Sequence, residues 1–126
     1  MRFQLALAPE LAPFAGDQEL LRQALLNVVL NACQAMPEGG VVDIATEADA
    51  GQVVVVRIAD EGVGIPAEDL ERIFNLYFTT RPDGHGVGLS MVYRIVQLHD
   101  GRIDVTSSVG RGTTFTIRFP LGARGV

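Results

Sequence analysis

Two pairs of β-branched segments, each joined by a short turn, constrain the fold of this chain more than any other feature. The first pair is "VVDIATEA" (41–48) and "QVVVVRIAD" (52–60), with a turn around "DAGQ". The second pair is "RIDVTSS" (102–108) and "TTFTIRFP" (113–120), separated by the glycine turn "VGRG". Val, Ile, Thr and Phe favour strands, and short polar turns between such runs favour hairpins. The sequence therefore predicts two antiparallel hairpins.

Helical segments lie before and between these hairpins. Asp17 is a candidate N-cap for a helix that runs to about Met36, where a proline and a glycine pair follow. Segment 66–74, "PAEDLERIF", has proline at a first helical position with acidic residues behind it, which is typical of a short helix. Segment 87–99, "VGLSMVYRIVQLH", predicts a further helix.

The remaining segments complete a single domain over residues 1–126. Phe3, Leu5 and Leu7 alternate with other residues and predict a short strand that ends at Pro9. Residues 75–86 show no period and are rich in helix breakers, which predicts a loop. The mixed order of strand pairs and helices predicts an α+β two-layer sandwich. Its mixed, mostly antiparallel sheet of about five strands is covered on one face by about three helices.

Composition excludes several classes of protein. Hydrophobic residues make up 48% and charged residues 20% of the chain, which is globular rather than disordered composition. A net charge of -5 argues against a nucleic-acid partner, which would require a basic surface. The single cysteine, Cys33, forms no disulfide framework, and we expect it to be a buried, inert thiol. No apolar run approaches bilayer-spanning length and no signal peptide is visible, so we expect a cytoplasmic domain without direct membrane contact.

The absence of lysine excludes the commonest phosphate-binding motifs. All ten basic residues are arginine. A Walker A loop and a protein-kinase site both require lysine, so neither can exist here. The pattern GxGxxG fails because residue 89 is leucine, and the two histidines are too far apart in sequence to indicate a metal site.

A pair of asparagines marks the first helix. Asn27 and Asn31 are four residues apart within "LLNVVLNACQAM" and therefore share a helix face. Amides among apolar neighbours are costly unless they meet polar partners, and an amide oxygen is a suitable ligand for Mg²⁺. Solvent-facing amides are an equally good interpretation of this pair taken alone.

The stretch "VRIADEGVGIP" places a carboxylate at the end of an apolar strand. Asp60 follows that strand, and Gly62 and Gly64 allow a tight turn and the close approach of a flat ligand. A carboxylate in this position can accept a hydrogen bond from an exocyclic amine such as N6 of adenine. An ordinary acidic turn after a strand is the alternative.

Two further glycine-rich stretches resemble ligand-binding loops. In "RPDGHGVGLSM", Gly84, Gly86 and Gly88 allow backbone N–H groups to converge on an anion, beside the N-terminus of the following helix. In "GRGTTFTIRFP", Gly110 and Gly112 shape a turn and Thr113 offers a hydroxyl at the end of the sheet. A flexible linker is the alternative for the first stretch, and a plain hairpin turn explains the second stretch equally well in isolation.

Taken together and in this order, the stretches resemble the boxes of the Bergerat fold, shared by gyrase, Hsp90, histidine kinases and MutL. "NVVLNACQAM" matches the N box, "DEGVGIP" the G1 box, "IFNLYFTT" the F box, "GHGVGLSMV" the G2 box and "GRGTTF" the G3 box. The chain is most similar to the catalytic ATP-binding domain of two-component sensor histidine kinases. "FTTRPDGHGVGLSMVYRIVQLHDGRI" and "NACQAMPEGG" resemble the nitrogen-regulation (NtrB-like) branch. The resemblance covers essentially the whole chain.

The resemblance implies a MgATP site. Asn31 would coordinate Mg²⁺ between the phosphates and Asn27 would support the phosphate end, with Arg81 as the nearest phosphate cation. Asp60 would bind the adenine amine, with Gly64 beneath the ring and Thr113 nearby through water. The other residues expected to contact the nucleotide are Gly62, Ile65, Phe78, Gly84, Gly86, Val87, Gly88 and Leu89. Residues 75–86 would form a lid over the phosphates, which Phe74 and Phe78 would anchor.

Several positions depart from the family pattern. Leu76 and Tyr77 stand where proline and phenylalanine are frequent, which puts the stiffness and packing of the lid in doubt. His85 occupies a position where a small residue is common, and we interpret it as an exposed, non-catalytic residue of the lid. Gln34 replaces a lysine that many relatives carry, which removes one candidate phosphate cation.

Residue 27 favours a kinase over an ATPase. Hydrolysing members of the superfamily carry a general-base glutamate four residues before the metal-binding asparagine, and this chain has Asn27 there. An amide accepts no proton at neutral pH, so it cannot activate water. Transfer to a histidine requires mainly positioning, because the imidazole is itself the nucleophile. A non-catalytic ATP-binding module and a gyrase- or Hsp90-type ATPase remain the alternatives.

No phosphoacceptor is visible in the chain. His99 precedes Asp100 as in the H box of the family, but Asp104 stands where that box expects proline. We therefore expect the acceptor on a separate dimerisation domain that precedes residue 1 in a longer protein. The resemblance implies a response regulator as an indirect partner. We expect the isolated domain to be a monomer.

Overall fold

The computed structural model describes residues 2–6, 17–49, 53–74 and 88–120, which form five strands and two α-helices. In chain order these are β1 (Arg2–Ala6), α1 (Gln18–Gln34), β2 (Val41–Asp49), β3 (Val53–Asp60), α2 (Gly88–Leu98), β4 (Arg102–Ser108) and β5 (Gly112–Pro120). The strands form one sheet in the order β1-β2-β3-β5-β4. Strand β1 is parallel to β2, and all other neighbours are antiparallel. The predicted α+β fold with a mostly antiparallel sheet is confirmed.

Both helices pack on the same face of the sheet. Alternate residues of β3 and β5 are buried there together with one face of each helix, because successive side chains of a strand point to opposite faces. The fully buried side chains at the centre of this layer are Val28, Val42, Val92, Val96, Phe115 and Ile117. This arrangement gives the two layers that the sequence predicts.

Helix α1 begins where the sequence predicts. The Asp17 side chain accepts a hydrogen bond from the Leu20 N–H at 3.1 Å and so caps the first turn. Ala24, Val28 and Ala32 recur every four residues and are all buried, which fixes the face that α1 turns to the sheet. The helix ends at Gln34, two residues before the predicted end.

The predicted short helix at 66–74 differs from the observed structure. Only Ala67–Asp69 forms a helical turn, of the 3-10 type, and Pro66 precedes it as the N-cap instead of occupying its first position. The Asp69 N–H bonds the Pro66 carbonyl at 2.9 Å, and the Arg72 N–H bonds the Asp69 carbonyl at 2.9 Å. These i to i+3 bonds are usual in short segments, because a long helix is needed to offset the cost of nucleation.

Helix α2 ends in a left-handed cap. Asp100 has φ 58°, and the Gly101 N–H bonds the Val96 carbonyl at 2.9 Å, as in a Schellman motif. The helix thus stops at Leu98, one residue before the predicted end. Neither α1 nor α2, the α-helices of the described ranges, combines the length and apolar content that a membrane span requires.

Candidate functional site

A row of three polar residues crosses one end of the apolar face of the sheet. Asp60 at the end of β3 is paired with Thr113 of β5, and Thr113 is paired with Ser107 of β4. Side chains of directly paired residues point to the same face, which here is the face that carries the core residues Ile58 and Phe115. The row therefore lies where the hydrophobic layer ends, at the boundary that the sequence predicts for Asp60.

The Asp60 carboxylate is held through one of its two oxygens. Oδ1 accepts hydrogen bonds from the N–H groups of Gly62 at 2.8 Å and Thr113 at 3.3 Å. No residue in the described part of the chain donates to Oδ2, and the side chain is only half-buried. Burial raises the pKa of Asp60, while the two backbone hydrogen bonds oppose this increase. The geometry suits an acceptor for a ligand N–H group.

Ser107 joins the loop after β3 to the β4–β5 turn. Its Oγ lies 2.7 Å from the Ile65 nitrogen, 2.9 Å from the Gly112 carbonyl oxygen and 2.7 Å from Thr113 Oγ1. Sequence reasoning missed this residue. The period-two pattern of "RIDVTSS" could have indicated it, because that pattern places Ser107 on the same face as Val105, opposite the first residues of the next strand.

Gly62 packs against the end of helix α1. A Cβ at this position would lie 2.5 Å from the Ala35 carbonyl oxygen and 2.7 Å from the Ala35 Cβ. The neighbouring Val63 N–H donates to the same carbonyl at 3.2 Å. The absence of a side chain at residue 62 is thus already required by contact with α1. A contact of Gly62 with the nucleotide stays a prediction.

Gly64 and Gly112 allow the loop after β3 and the β4–β5 turn to touch. Gly64 has φ 80°, and a Cβ there would overlap the Ser108 carbonyl. Gly112 has φ 118°, and a Cβ there would overlap the Asp60 carbonyl. Left-handed φ values and close backbone approach both favour glycine. The expected place of Gly64 beneath the adenine ring stays a prediction, since protein atoms already account for this glycine.

Asn27 and Asn31 lie one turn apart on α1, and Asn27 lies near the start of α2. The Asn27 Nδ2 group lies 3.9 Å from the Met91 sulfur, and its Oδ1 lies 3.9 Å from the position of a Cβ at Gly88. Both amides are half-buried. Within the described ranges no group of three or more His, Cys, Asp or Glu side chains could hold a metal ion. A Mg²⁺ ion at Asn31 stays a prediction, and Mg²⁺ in proteins usually keeps several waters and shares phosphate oxygens.

Part of the predicted phosphate site lies outside the described residues. This applies to Phe78, Arg81, Gly84, His85, Gly86 and Val87, together with the rest of the expected lid at 75–86. Gly88 and Leu89 are the first two residues of α2 and lie in its first turn, and Leu89 packs against the core. The free N–H groups of a helix N-terminus are suited to bind an anion. In the structure this first turn lies next to Asn27, whose Oδ1 is 3.9 Å from the position of a Cβ at Gly88.

Phe74 is the last residue described before that gap, and it packs on aromatic neighbours. Its ring stacks on Tyr93 of α2 with centroids 5.4 Å apart and meets Phe115 edge-on at 6.4 Å. Ile65, in the loop after β3, also packs against the core. These contacts hold Phe74 to the body of the domain, while its role as a lid anchor stays a prediction.

Comparison with known proteins connects this site to one family. The profile of the family described as "Histidine kinase-, DNA gyrase B-, and HSP90-like ATPase" matches residues 16–123. Sensor histidine kinase ZraS of Escherichia coli K12 is 43% identical over 106 residues, which cover 84% of this chain and 23% of ZraS. The chain spans about a quarter of the length of the curated relatives it matches.

Two solved structures share the fold over 95% of this chain. The mycobacterial sensor histidine kinase MprB has a TM-score of 0.86 at 28% identity, with 83% of that chain covered. Full-length ShkA in complex with AMPPNP has a TM-score of 0.84 at 32% identity, with 25% of that chain covered. The predicted resemblance to histidine kinase catalytic domains is confirmed. This chain belongs to the family of histidine kinase-, DNA gyrase B- and HSP90-like ATPases.

Proposed function

We propose that this chain is the catalytic domain of a sensor histidine kinase and that it binds ATP with the adenine amine on Asp60. The observation that carries the proposal is the Asp60 carboxylate at the end of a buried strand. Its Oδ1 is held by two backbone N–H groups, and its Oδ2 receives no bond from the described residues. An exocyclic amine is the matching donor. The AMPPNP bound by the similar protein ShkA supports an adenine nucleotide as the ligand.

The phosphates would extend from this base site towards helix α2. Asn27 lies beside the first turn of α2, whose free N–H groups suit phosphate oxygens. Asn31 would supply an amide oxygen to Mg²⁺, which would neutralise phosphate charge when bound. Gly84, Gly86, Val87, Gly88 and Leu89 would contribute backbone contacts, and Arg81 a cation. In this proposal residues 75–86 cover the phosphates, with Phe78 against the nucleotide.

The proposed reaction is phosphoryl transfer to a histidine of a separate dimerisation domain. The imidazole nitrogen attacks the γ-phosphorus, the bond to the β–γ bridging oxygen breaks, and ADP leaves. Asn27 cannot act as a general base, so the site positions the acceptor and stabilises charge without activating water. Relatives named sensor histidine kinases support this class of reaction over ATP hydrolysis. The partners are then the dimerisation domain and, indirectly, a response regulator, in the cytoplasm.

The test is transfer of labelled γ-phosphate from ATP to the dimerisation domain of the same full-length kinase. We expect acid-labile phosphate on that domain when Mg²⁺ is present. Asn31→Ala should reduce transfer by more than about 100-fold, since a single electrostatic contact at a transition state contributes this much. Gln23→Ala is the matched control, because Gln23 is an exposed amide on the same helix. It should leave transfer unchanged.

Two outcomes would replace this proposal with another function. ATP binding without transfer to the correct dimerisation domain would indicate a non-catalytic, nucleotide-binding module. Steady release of inorganic phosphate by the isolated chain would indicate an ATPase and would contradict the argument from Asn27.

A further inference from the structure

The Ser107 hydroxyl has three hydrogen-bond partners but only one proton. The Ile65 nitrogen, the Gly112 carbonyl oxygen and the Thr113 hydroxyl oxygen all lie within 2.9 Å of its Oγ. A serine hydroxyl offers one donor and two acceptor lone pairs. Three partners therefore saturate it, and the direction of each bond follows from the chemistry of the partners.

The Gly112 carbonyl decides where the proton of Ser107 points. A carbonyl oxygen can only accept, so the bond at 2.9 Å uses the Ser107 proton. The Ile65 N–H can only donate, so it occupies one lone pair of Ser107. The second lone pair then accepts the Thr113 hydroxyl proton across 2.7 Å. Thr113 has no proton left, and its oxygen offers only lone pairs to any further partner.

We propose that Ser107 is a positioning residue that determines which purine the site accepts. This inference rests on the proposed function, in which the base lies at Asp60. Thr113 is paired with Asp60 across the sheet, and its N–H donates to Asp60 Oδ1 at 3.3 Å. The Thr113 hydroxyl and the Asp60 carboxylate, which can both only accept, are therefore neighbours on the same face of the sheet. Two acceptors that face the 6-position of the base favour a 6-amino group, which donates, over a 6-oxo group, which only accepts.

The alternative is that Ser107 only stabilises the β4–β5 turn. Thr113 is 4% exposed, and its environment is tightly packed, so loss of Ser107 could disturb any ligand equally. Affinity for ATP alone does not separate these two roles. The preference for ATP over inosine triphosphate does, because the two nucleotides differ only at the 6-position and the adjacent ring nitrogen of the base.

The experiment measures dissociation constants of ATP and inosine triphosphate for the chain and its variants by calorimetry. We expect Ser107→Ala to release the Thr113 proton, which can then turn to donate to a 6-oxo group. The preference for ATP should fall by about fivefold to tenfold, the value of one neutral hydrogen bond. Ser107→Thr retains the hydroxyl and should retain the preference. A purely structural role would lower both affinities by the same factor.

A second pair of variants tests whether the effect passes through Thr113. Thr113→Val removes the oxygen at nearly constant volume, and we expect it also to reduce the ATP preference. In the Thr113→Val background, Ser107→Ala should change the preference by less than about twofold, because no hydroxyl remains to be oriented. A further loss of preference there would contradict the proposed route.

The outcomes separate this inference from the function on which it rests. If the unaltered chain binds ATP but Ser107→Ala keeps the full ATP preference, the inference alone is overturned. If Ser107→Ala does not fold, an unchanged preference in Thr113→Val overturns it instead. If the unaltered, folded chain binds neither nucleotide, the proposed function and the inference both fail.

Discussion

At the scale of single residues, the partly buried Asp60 carboxylate lowers the stability of the fold but can accept a hydrogen bond from a ligand. Burial raises the pKa of its carboxyl group, so the ionised form is less favourable in the folded chain than in the unfolded one. Two backbone hydrogen bonds to Oδ1 compensate in part. A carboxylate that lowers stability and has one oxygen without a donor among the described residues is better explained by ligand binding than by folding.

Asp60→Asn should weaken ATP binding without destabilising the fold. The asparagine oxygen can keep both backbone hydrogen bonds, but its NH₂ group would meet the amine of adenine as a second donor. We expect a loss of about 2 kcal/mol, or roughly 30-fold in Kd, measured by calorimetry. Asp43→Asn, at an exposed position of β2, is the control and should bind normally. Unchanged ATP affinity in Asp60→Asn would refute the assignment of Asp60.

The same variant has a defined pH dependence of stability. Because the folded pKa of Asp60 lies above its unfolded value, the folded state keeps its proton to higher pH. The parent chain therefore loses stability as pH rises from the unfolded pKa through the folded pKa. Asp60→Asn lacks this loss, so its stability relative to the parent should increase with pH across that window and then level off. Denaturant titrations of both chains measure the difference.

At the scale of elements, the loop after β3 and the β4–β5 turn form one unit. Gly64 touches the Ser108 carbonyl, Gly112 touches the Asp60 carbonyl, and the Gly110 N–H donates to the Val63 carbonyl at 2.9 Å. Two segments that are far apart in the chain thus position Asp60 and Thr113 together. The glycines that suggested a ligand in the sequence also serve this contact.

Gly64→Ala should destabilise the domain more than Gly110→Ala. Both glycines have nearly the same left-handed backbone, with φ 80° and 83°, so alanine suffers a similar conformational cost of about 1 kcal/mol at each. A Cβ at Gly110 meets nothing within 4 Å, whereas a Cβ at Gly64 overlaps Ser108. We expect Gly64→Ala to cost at least about 2 kcal/mol more in denaturant unfolding. Equal losses would show that the loop moves aside freely.

At the scale of the whole molecule, His99 connects the end of helix α2 to the start of helix α1. Its Nε2 accepts the Asp17 N–H at 2.9 Å, which fixes the start of α1 to the residue after α2. Its Nδ1 lies 2.8 Å from the Ile95 carbonyl, and the ring meets Phe119 edge-on at 6.2 Å. Both nitrogens are satisfied by the neutral ring with its proton on Nδ1. This arrangement supports a structural role and not that of a phosphoacceptor.

His99→Ala should lower stability without affecting phosphoryl transfer. Loss of the acceptor for the Asp17 N–H and of the contact with Phe119 should cost about 1 to 2 kcal/mol in denaturant unfolding. Amide exchange in the first turn of α1 should accelerate most. Leu98→Ala, at a neighbouring side chain that is 68% exposed, should change stability by less than about 0.5 kcal/mol. If the unaltered chain itself became labelled with phosphate and His99→Ala did not, this result would contradict the structural role of His99.

The sequence alone determined the elements and the type of site. Hairpin periodicity, the Asp17 cap and the glycine turns are local signals, so they predict β2 to β5 and both helices closely. The α-helix predicted for residues 66–74 was wrong, because a short proline-led segment with acidic residues is compatible with both an α-helix and a 3-10 turn. Asp60 and Thr113 could be predicted as site residues because strand ends and glycine turns mark them in the chain.

Only the tertiary structure decided which residues of these elements contact one another. Strand register sets Asp60, Thr113 and Ser107 in one row, and close backbone contacts explain Gly62 and Gly64 through protein neighbours. No local pattern encodes that Ser107 receives the Thr113 proton, because hydrogen-bond direction depends on three partners from separate segments. Sequence periodicity specifies which face a side chain occupies, whereas the partner it meets there depends on how the whole sheet is assembled.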